Sequence, residues 1–341
     1  MRIRTPRWWY FRGRPAPVTR ALLWPLSLLW AAGTARRIAR ARPSDAGVPV
    51  ICVGNLTVGG SGKTPVAREV ARLLRVAGLE THVLARGYGG RMAGPVRVDP
   101  LLHTARDVGD EPLMMAGDGP VWVARDRADG AMTAVEAGAQ VVVMDDGHQN
   151  PDVKKWLSLV VVDGETRGQE WPFGDGSVFP SGPLREPLAR GLVRADAVVV
   201  LLPADIPEVD PALRDALDGK KVLVAHLVPT CSPPAGPLLG FAGIAKPWRM
   251  ERAIQAAGGA LADFAPFPDH AAISDSSLGF LARRAGELGA VLVTSEKDWA
   301  RLSPAWRTRV QAWPVRVRFE DEGALMDLLR DLWERDLRPP P

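Results

Sequence analysis

The sequence predicts an α/β protein: a mostly parallel sheet with helices on both faces, built around a P-loop, plus a second, smaller α/β domain joined by a two-strand linker. Three observations predict it. Gly59-Gly60-Ser61-Gly62-Lys63-Thr64 follows the apolar run at residues 50–53 and precedes a stretch with apolar residues at helical spacing (Val66, Val70, Leu73, Leu74). That is the strand–turn–helix setting a phosphate-binding loop requires. Short β-branched runs then alternate with helical patterns, and the polar candidates gather at the ends of those runs, where open α/β sheets bind ligands.

Composition bounds the classes. With 341 residues, 46% apolar and 24% charged, the chain is an ordinary folded protein long enough for two domains. Cys52 and Cys231 lie far apart in sequence, and Cys52 falls in a buried run, so it reads as a small core residue. The net charge of +4 is uneven: residues 1–44 carry ten arginines and no acid, whereas the rest holds 33 of the 43 basic residues and all 39 acidic ones.

Taken in order, residues 1–44 form a basic, apolar arm. Residues 21–33, ALLWPLSLLWAAG, are thirteen long, short of the roughly 20 that cross a bilayer as a helix, and Pro25 interrupts the pattern. Trp8, Trp9, Tyr10, Trp24 and Trp30 suit a membrane–water interface, and the arginines suit anionic head groups. The arm is expected to lie on the cytoplasmic face of a membrane, with an anionic membrane surface as partner. A helix packed on the main domain is the alternative. Nucleic acid is not expected, since an arm binding it would be more uniformly polar.

Residues 45–220 read as a nucleotide-binding domain. Gly59, Gly60, Ser61 and Gly62 let backbone N–H groups surround phosphate oxygens at a helix N-terminus. Lys63 is expected at the terminal phosphates and the Thr64 hydroxyl on Mg²⁺. A strict P-loop pattern would place glycine at Thr57. Strands are expected at residues 81–85, 121–124, 140–144, 158–163 and 197–202, with a helical pattern at 130–138. Asp145 and Asp146 end the run at 140–144, where a P-loop site holds its metal; either one fits, and a turn cap before Gly147 is the plainer role. Asp110 and Glu111, between Gly109 and Pro112, suit a positioned carboxylate that takes a hydroxyl proton; a solvated acidic turn fits the same residues. Arg86, Arg125 and Arg127 are candidate phosphate clamps. Residues 164–187 have no periodicity, and a loop that long is functional or disordered.

Residues 221–229 and 315–319 read as the two linker strands of the smaller domain, residues 221–319. Within it lie a Gly-rich turn at 240–247, a helix at 248–257, and a helix and strand at 276–293. His270 is an isolated loop histidine there. Residues 320–341 hold a helix at 322–335 that returns to the first domain.

In order along the chain, these pieces resemble the tetraacyldisaccharide 4'-kinase family of lipid A synthesis. The resemblance runs from Gly54-Asn55-Leu56 and the P-loop through Arg86-Gly87-Tyr88-Gly89-Gly90, Gly109-Asp110-Glu111-Pro112 and Asp145-Asp146-Gly147 with Gln149. It continues in Pro183-Leu184-Arg185-Glu186-Pro187, Gly243-Ile244, Phe267-Pro268-Asp269-His270 and Glu296-Lys297-Asp298. This family's loop does not use the strict first glycine, which accounts for Thr57. The resemblance implies a P-loop kinase-like fold and transfer of phosphate from ATP, with Mg²⁺, to the 4'-hydroxyl of a tetraacyl glucosamine disaccharide 1-phosphate at the cytoplasmic face of the inner membrane. It implies a proton-accepting pair at Asp110 and His270, and substrate contacts at Arg86, Glu111, Arg127 and Gln149. No obligate protein partner is inferred. Where many members have Phe-Gln-His after Asp-Asp-Gly, this chain has His148-Gln149-Asn150, so a role for that histidine does not carry over to Asn150. Asp175 likewise stands where asparagine is common. A membrane-attached regulatory NTPase is the competing reading.

Overall fold

Continuous β-branched runs make strands buried on both faces, and here they build two sheets. The structure, a computed structural model, describes residues 6–13, 16–269 and 273–336, with side chains described as far as residue 330. The strands are β1 (Val50–Gly54), β2 (Thr81–Ala85), β3 (Val96–Arg97), β4 (Val121–Val123), β5 (Val141–Asp145), β6 (Leu157–Asp163), β7 (Ala197–Pro203), β8 (Lys221–Pro229), β9 (Pro237–Ala242), β10 (Ala260–Pro266), β11 (Val291–Thr294), β12 (Gln311–Ala312) and β13 (Val315–Phe319). A nine-stranded sheet has the order β13-β8-β7-β6-β1-β5-β2-β4-β3, and a four-stranded sheet the order β10-β9-β11-β12. Only the two edges of the large sheet, β13 on β8 and β3 on β4, are antiparallel.

Period-two alternation sorts the large sheet's side chains onto two faces. Ile51, Val53, Val83 and Val143 pack with Val66 and Val70 of the helix Lys63–Val76 and with Leu325 and Leu329 of the helix Glu322–Asp336. Val50, Cys52, Val142 and Met144 face Ala131 and Ala134 of the helix Arg127–Glu136. The smaller sheet repeats the plan. Met250 and Ile254 cover one face, and Leu278, Leu281 and Ala285 the other.

The structure adds local detail to the sequence reading. The two linker strands, β8 and β13, lie before and after the smaller sheet's strands in the chain and pair at one edge of the large sheet, from Val315↔Pro229 to Phe319↔Ala225. The segment expected as a Gly-rich turn contains the end of β9. Gly240 sits within that strand because a Cβ there would come within 2.6 Å of the Phe264 ring on β10. β10 itself is an edge strand with a largely exposed sequence, Ala-Leu-Ala-Asp-Phe-Ala-Pro, and carries no clear period.

The arm forms one helix, Pro17–Arg40, straight through Pro25. Its polarity is inverted. Arg20 and Ser27 are buried at 6% and 4% exposure, whereas Leu22, Leu29 and Trp24 stand 75%, 70% and 58% exposed. Arg20 pairs with Asp175, which gives that departure a structural role, and stacks over Trp8. Ser27 donates to Ser181 at 2.9 Å, and the Trp30 indole donates to the Arg185 carbonyl at 3.0 Å. These anchors on both sides of Pro25 hold the helix across the one backbone bond the proline lacks. Among the described residues, no helix is long and apolar enough to cross a membrane.

Candidate active site

The P-loop joins β1 to the helix Lys63–Val76 with glycines at positive φ, Gly59 at 105° and Gly62 at 81°, a conformation that residues with a Cβ rarely adopt. Buried Asn55 braces the loop by donating to Ser61 Oγ at 2.8 Å. Gly60 faces the second sheet's unit, where a Cβ would meet Ala245 at 2.8 Å. The segment at 183–185 runs along the loop: Val58 N–H donates to Pro183 O and Arg185 N–H to Leu56 O, both at 2.8 Å. The long aperiodic segment is therefore ordered scaffolding here, held by backbone pairing rather than by a repeating pattern.

Two adjacent aspartates end β5 in opposite surroundings. Asp145 is 3% exposed. Its Oδ2 accepts from the Thr64 hydroxyl at 2.9 Å, while its buried Oδ1 has no hydrogen-bond partner among the described residues. Burial first, then the nearby Glu111 carboxylate, pushes the Asp145 carboxyl up to about 7. A buried carboxylate oxygen with no donor is what a cation site leaves when protein alone surrounds it, so Thr64 and Asp145 fit a divalent ion that also binds phosphates. Asp146 adopts φ 55°, in the left-handed region. Arg185 grips both its oxygens, at 2.6 and 3.3 Å, and Lys63 Nζ lies 3.7 Å away. Burial alone would raise the Asp146 carboxyl, but these two cations hold it far below the ordinary range.

Asp110 and Glu111 open the helix Asp110–Met115, and Asp110 is 7% exposed. Both face the second sheet's unit. Lys297 Nζ lies 3.1 Å from Glu111 Oε1 and 4.0 Å from Asp110 Oδ2, and Arg301 Nε is 3.7 Å from Asp110 Oδ2. Burial raises the Glu111 carboxyl, yet Lys297 and then Lys63 more than offset this and hold it down. Lys63 thus links the P-loop electrically to the acidic pair. His270 lies outside the described residues. Asp269, just before it, is 3.6 Å from Lys297.

The remaining candidates separate. Arg86 is exposed and makes no ion pair among the described residues, which suits a cation awaiting a ligand. The exposed Arg125 side chain donates to the Arg91 carbonyl at 3.5 Å and makes no ion pair among the described residues. Arg127 is 2% exposed, and its two terminal nitrogens donate to the Leu84 and Asp145 carbonyls at 3.2 and 3.0 Å. As placed, it braces the strand ends beneath Asp145 instead of reaching outward as a clamp. Burial lowers its guanidinium to about 10. Gln149 ties together Asn55 O, Glu186 and Arg185, and its carbonyl accepts from Arg37 of the arm. His148 is buried between Ser158 and the Gly191 carbonyl, and burial lowers its imidazole to about 4, so it packs as a neutral ring. Asn150 caps a turn at Asp152.

Sequence reasoning quoted Arg185, Lys297 and Arg301's neighbours only within motifs and gave these cations no site role. Their pairing with Asp146 and Asp110 spans 39, 187 and 191 positions of chain, so only the fold reveals it.

Against known proteins, the model of the tetraacyldisaccharide-1-P 4'-kinase (LpxK) family matches residues 19–334. The tetraacyldisaccharide 4'-kinase of Phenylobacterium zucineum is 65% identical over 326 residues, 95% of this chain and 98% of that one. The protein of the same name from Caulobacter vibrioides is 63% identical over 333 residues, 97% of this chain and 99% of that one. The crystal structure of LpxK from Aquifex aeolicus in complex with ATP superposes with a TM-score of 0.73 at 26% identity, covering 92% of this chain and 99% of that one. A P-loop, a buried Thr64–Asp145 hydrogen bond and the acidic pair Asp110–Glu111 thus lie on a fold and a sequence shared along almost the whole length: the chain belongs to the tetraacyldisaccharide 4'-kinase family.

Proposed function

We propose that this chain transfers the terminal phosphoryl group of ATP to the 4'-hydroxyl of a tetraacyl glucosamine disaccharide 1-phosphate, a lipid A precursor. The observation that carries the reading is the open Oδ1 of Asp145 beside Thr64 and Lys63, with the Glu111 carboxylate near enough to act on both Asp145 and Lys63. The 59–62 amides and Lys63 hold the phosphates, and Lys63 exchanges its 3.7 Å contact with Asp146 for them. Thr64 and Asp145 hold Mg²⁺, which when bound neutralises charge on the phosphate oxygens. Asp146, fixed by Arg185, keeps a negative charge against Lys63 and orients it. Asp110 accepts the hydroxyl proton, and His270 belongs with it in that role. Arg86 and Gln149 contact the substrate's polar head, and Arg127 supports the end of the Asp145 strand.

The helix Pro17–Arg40 lays its outward leucines and tryptophans into the cytoplasmic face of the inner membrane, with its arginines at anionic head groups. Between this helix and the helix Leu188–Val193 runs an open, mainly apolar groove of about 360 Å³ lined by Ala31, Ala35, Ile38, Pro187 and Val193, which suits hydrocarbon. An amphiphile held there lies next to Arg185 and Glu186, at the edge of the P-loop.

The test is direct. Purified protein with ATP, Mg²⁺ and the tetraacyl disaccharide 1-phosphate should yield the 4'-phosphorylated lipid, and Asp110→Ala should lower turnover by about 10²–10⁴-fold with ATP still bound. ATP hydrolysis unaffected by lipid, with no phosphate on the lipid, would sink the reading.

A further inference from the structure

The helix Glu296–Trp299 belongs to the four-stranded sheet's unit, yet two of its charged side chains, Glu296 and Lys297, end on the large one. Glu296 accepts two hydrogen bonds from Arg68, at 2.9 and 3.1 Å. Lys297 Nζ lies 3.1 Å from Glu111, 3.6 Å from Asp269 and 4.0 Å from Asp110, so three carboxylates from two units converge on one ammonium. The side chain is 17% exposed. Burial alone would weaken its hold on the proton, but Glu111, Asp110 and Asp269 more than compensate and raise it, so the group is a fixed cation. The next turn is locked as well: Arg301 pairs with Asp298 and Asp110 and donates to the Gly243 carbonyl at 3.1 Å, and Asp298 accepts from Gly243 N–H at 2.9 Å.

We infer that Lys297 is a positioning residue for phosphoryl transfer: its ammonium joins Asp110 and Glu111 of the large unit to Asp269 of the small one and so sets the closed arrangement in which Asp110 meets the acceptor hydroxyl. The inference rests on the reading of Asp110 as proton acceptor. Without Lys297 the three carboxylates face one another across the gap, and like charges at such distances in a poorly hydrated site oppose closure. The nucleotide-holding residues 59–64 lie on the large unit, so the defect falls on the catalytic step more than on ATP binding.

The test compares Lys297→Met, Lys297→Arg and Asp110→Asn in steady-state kinetics with ATP and the disaccharide lipid. Lys297→Met should lower kcat by about 10²-fold, the usual cost of an ångström-scale misplacement, with the KM for ATP near wild type, and Lys297→Arg should recover most of the loss. Wild-type kcat in Lys297→Met overturns the inference. So does an equal loss in the Met and Arg variants with ATP binding impaired, since that marks a merely structural role. Asp110→Asn separates the two claims: if it stays active, the reading of Asp110 is wrong, whereas an inactive Asp110→Asn beside a fully active Lys297→Met removes only the role of Lys297. Should Lys297→Met fail to fold, Lys297→Gln takes its place with the same outcomes.

Discussion

Asp145 and Asp146 carry the same side chain at one strand end, and their neighbours alone give them different work. Two cations on Asp146 fix it as a charged strut, while the single hydroxyl on Asp145 leaves an oxygen for a ligand. The pair was legible in the sequence as an acidic strand end; the division was not, because it depends on Arg185, which is remote in the chain. His148 makes the same point. Its Nε2–H donates to the Gly191 carbonyl, so Nδ1 accepts from Ser158, and protonation would put an uncompensated charge in a buried place. A histidine with its folded pKa lowered from 6.5 to about 4 binds fewer protons folded than unfolded. Its contribution is full above about pH 6.5 and is lost as pH falls toward 4, by at most about 3 kcal/mol. His148→Gln, which does not titrate, should lose less stability than wild type between pH 7 and pH 4.5 in urea unfolding. Equal losses would show that the ring is not held neutral.

At the scale of elements, the arm was legible as basic and apolar, but its manner of attachment was not. The sequence offered a membrane-surface segment or a helix packed on the main domain as alternatives; the structure has polar anchors inward and leucines outward. Leu22→Gln with Leu29→Gln should therefore leave the melting temperature nearly unchanged and weaken binding to vesicles containing anionic phospholipid. Undiminished sedimentation with the vesicles would place the membrane contact elsewhere. Point changes test this better than removing the arm, because Trp9 is buried at 3% exposure and the Tyr10 hydroxyl donates to the Val58 carbonyl beside the P-loop. The long helices and most strands of the large sheet were legible because their helical spacing and β-branched runs are strong. β3, β10 and β12 were not, because two are only two residues long and the third is an exposed edge.

Across the whole molecule, the two units meet through a second set of charges away from Asp110. Arg249 donates to Asp163 at 2.5 Å and to Glu165 at 2.7 Å, Lys246 reaches Asp163 and Glu170 at 3.0 and 2.6 Å, and Arg252 reaches Glu165 at 2.9 Å. Burial would raise the Asp163 carboxyl, but Arg249 and Lys246 hold it below its ordinary value. Arg249→Met removes a cation paired with both buried Asp163 and Glu165, leaving Lys246 and Arg252 beside them, and should cost about 3 kcal/mol of stability, read from urea midpoints. Arg284→Met, whose partners Asp263 and Glu287 lie in solvent, should change little. An equally small loss for Arg249→Met would mean these pairs are not what binds the units. By itself the sequence determined the α/β class, the phosphate loop, the acidic strand end and the inverted charge of the arm, because each is written in neighbouring residues through local period, backbone freedom or composition. Only the tertiary structure decided which aspartate is left open, that Arg127 and His148 are buried supports, and that Lys297 meets Asp110 and Glu111. Those are electrostatic and burial relations between residues far apart in the chain, and no local pattern encodes them.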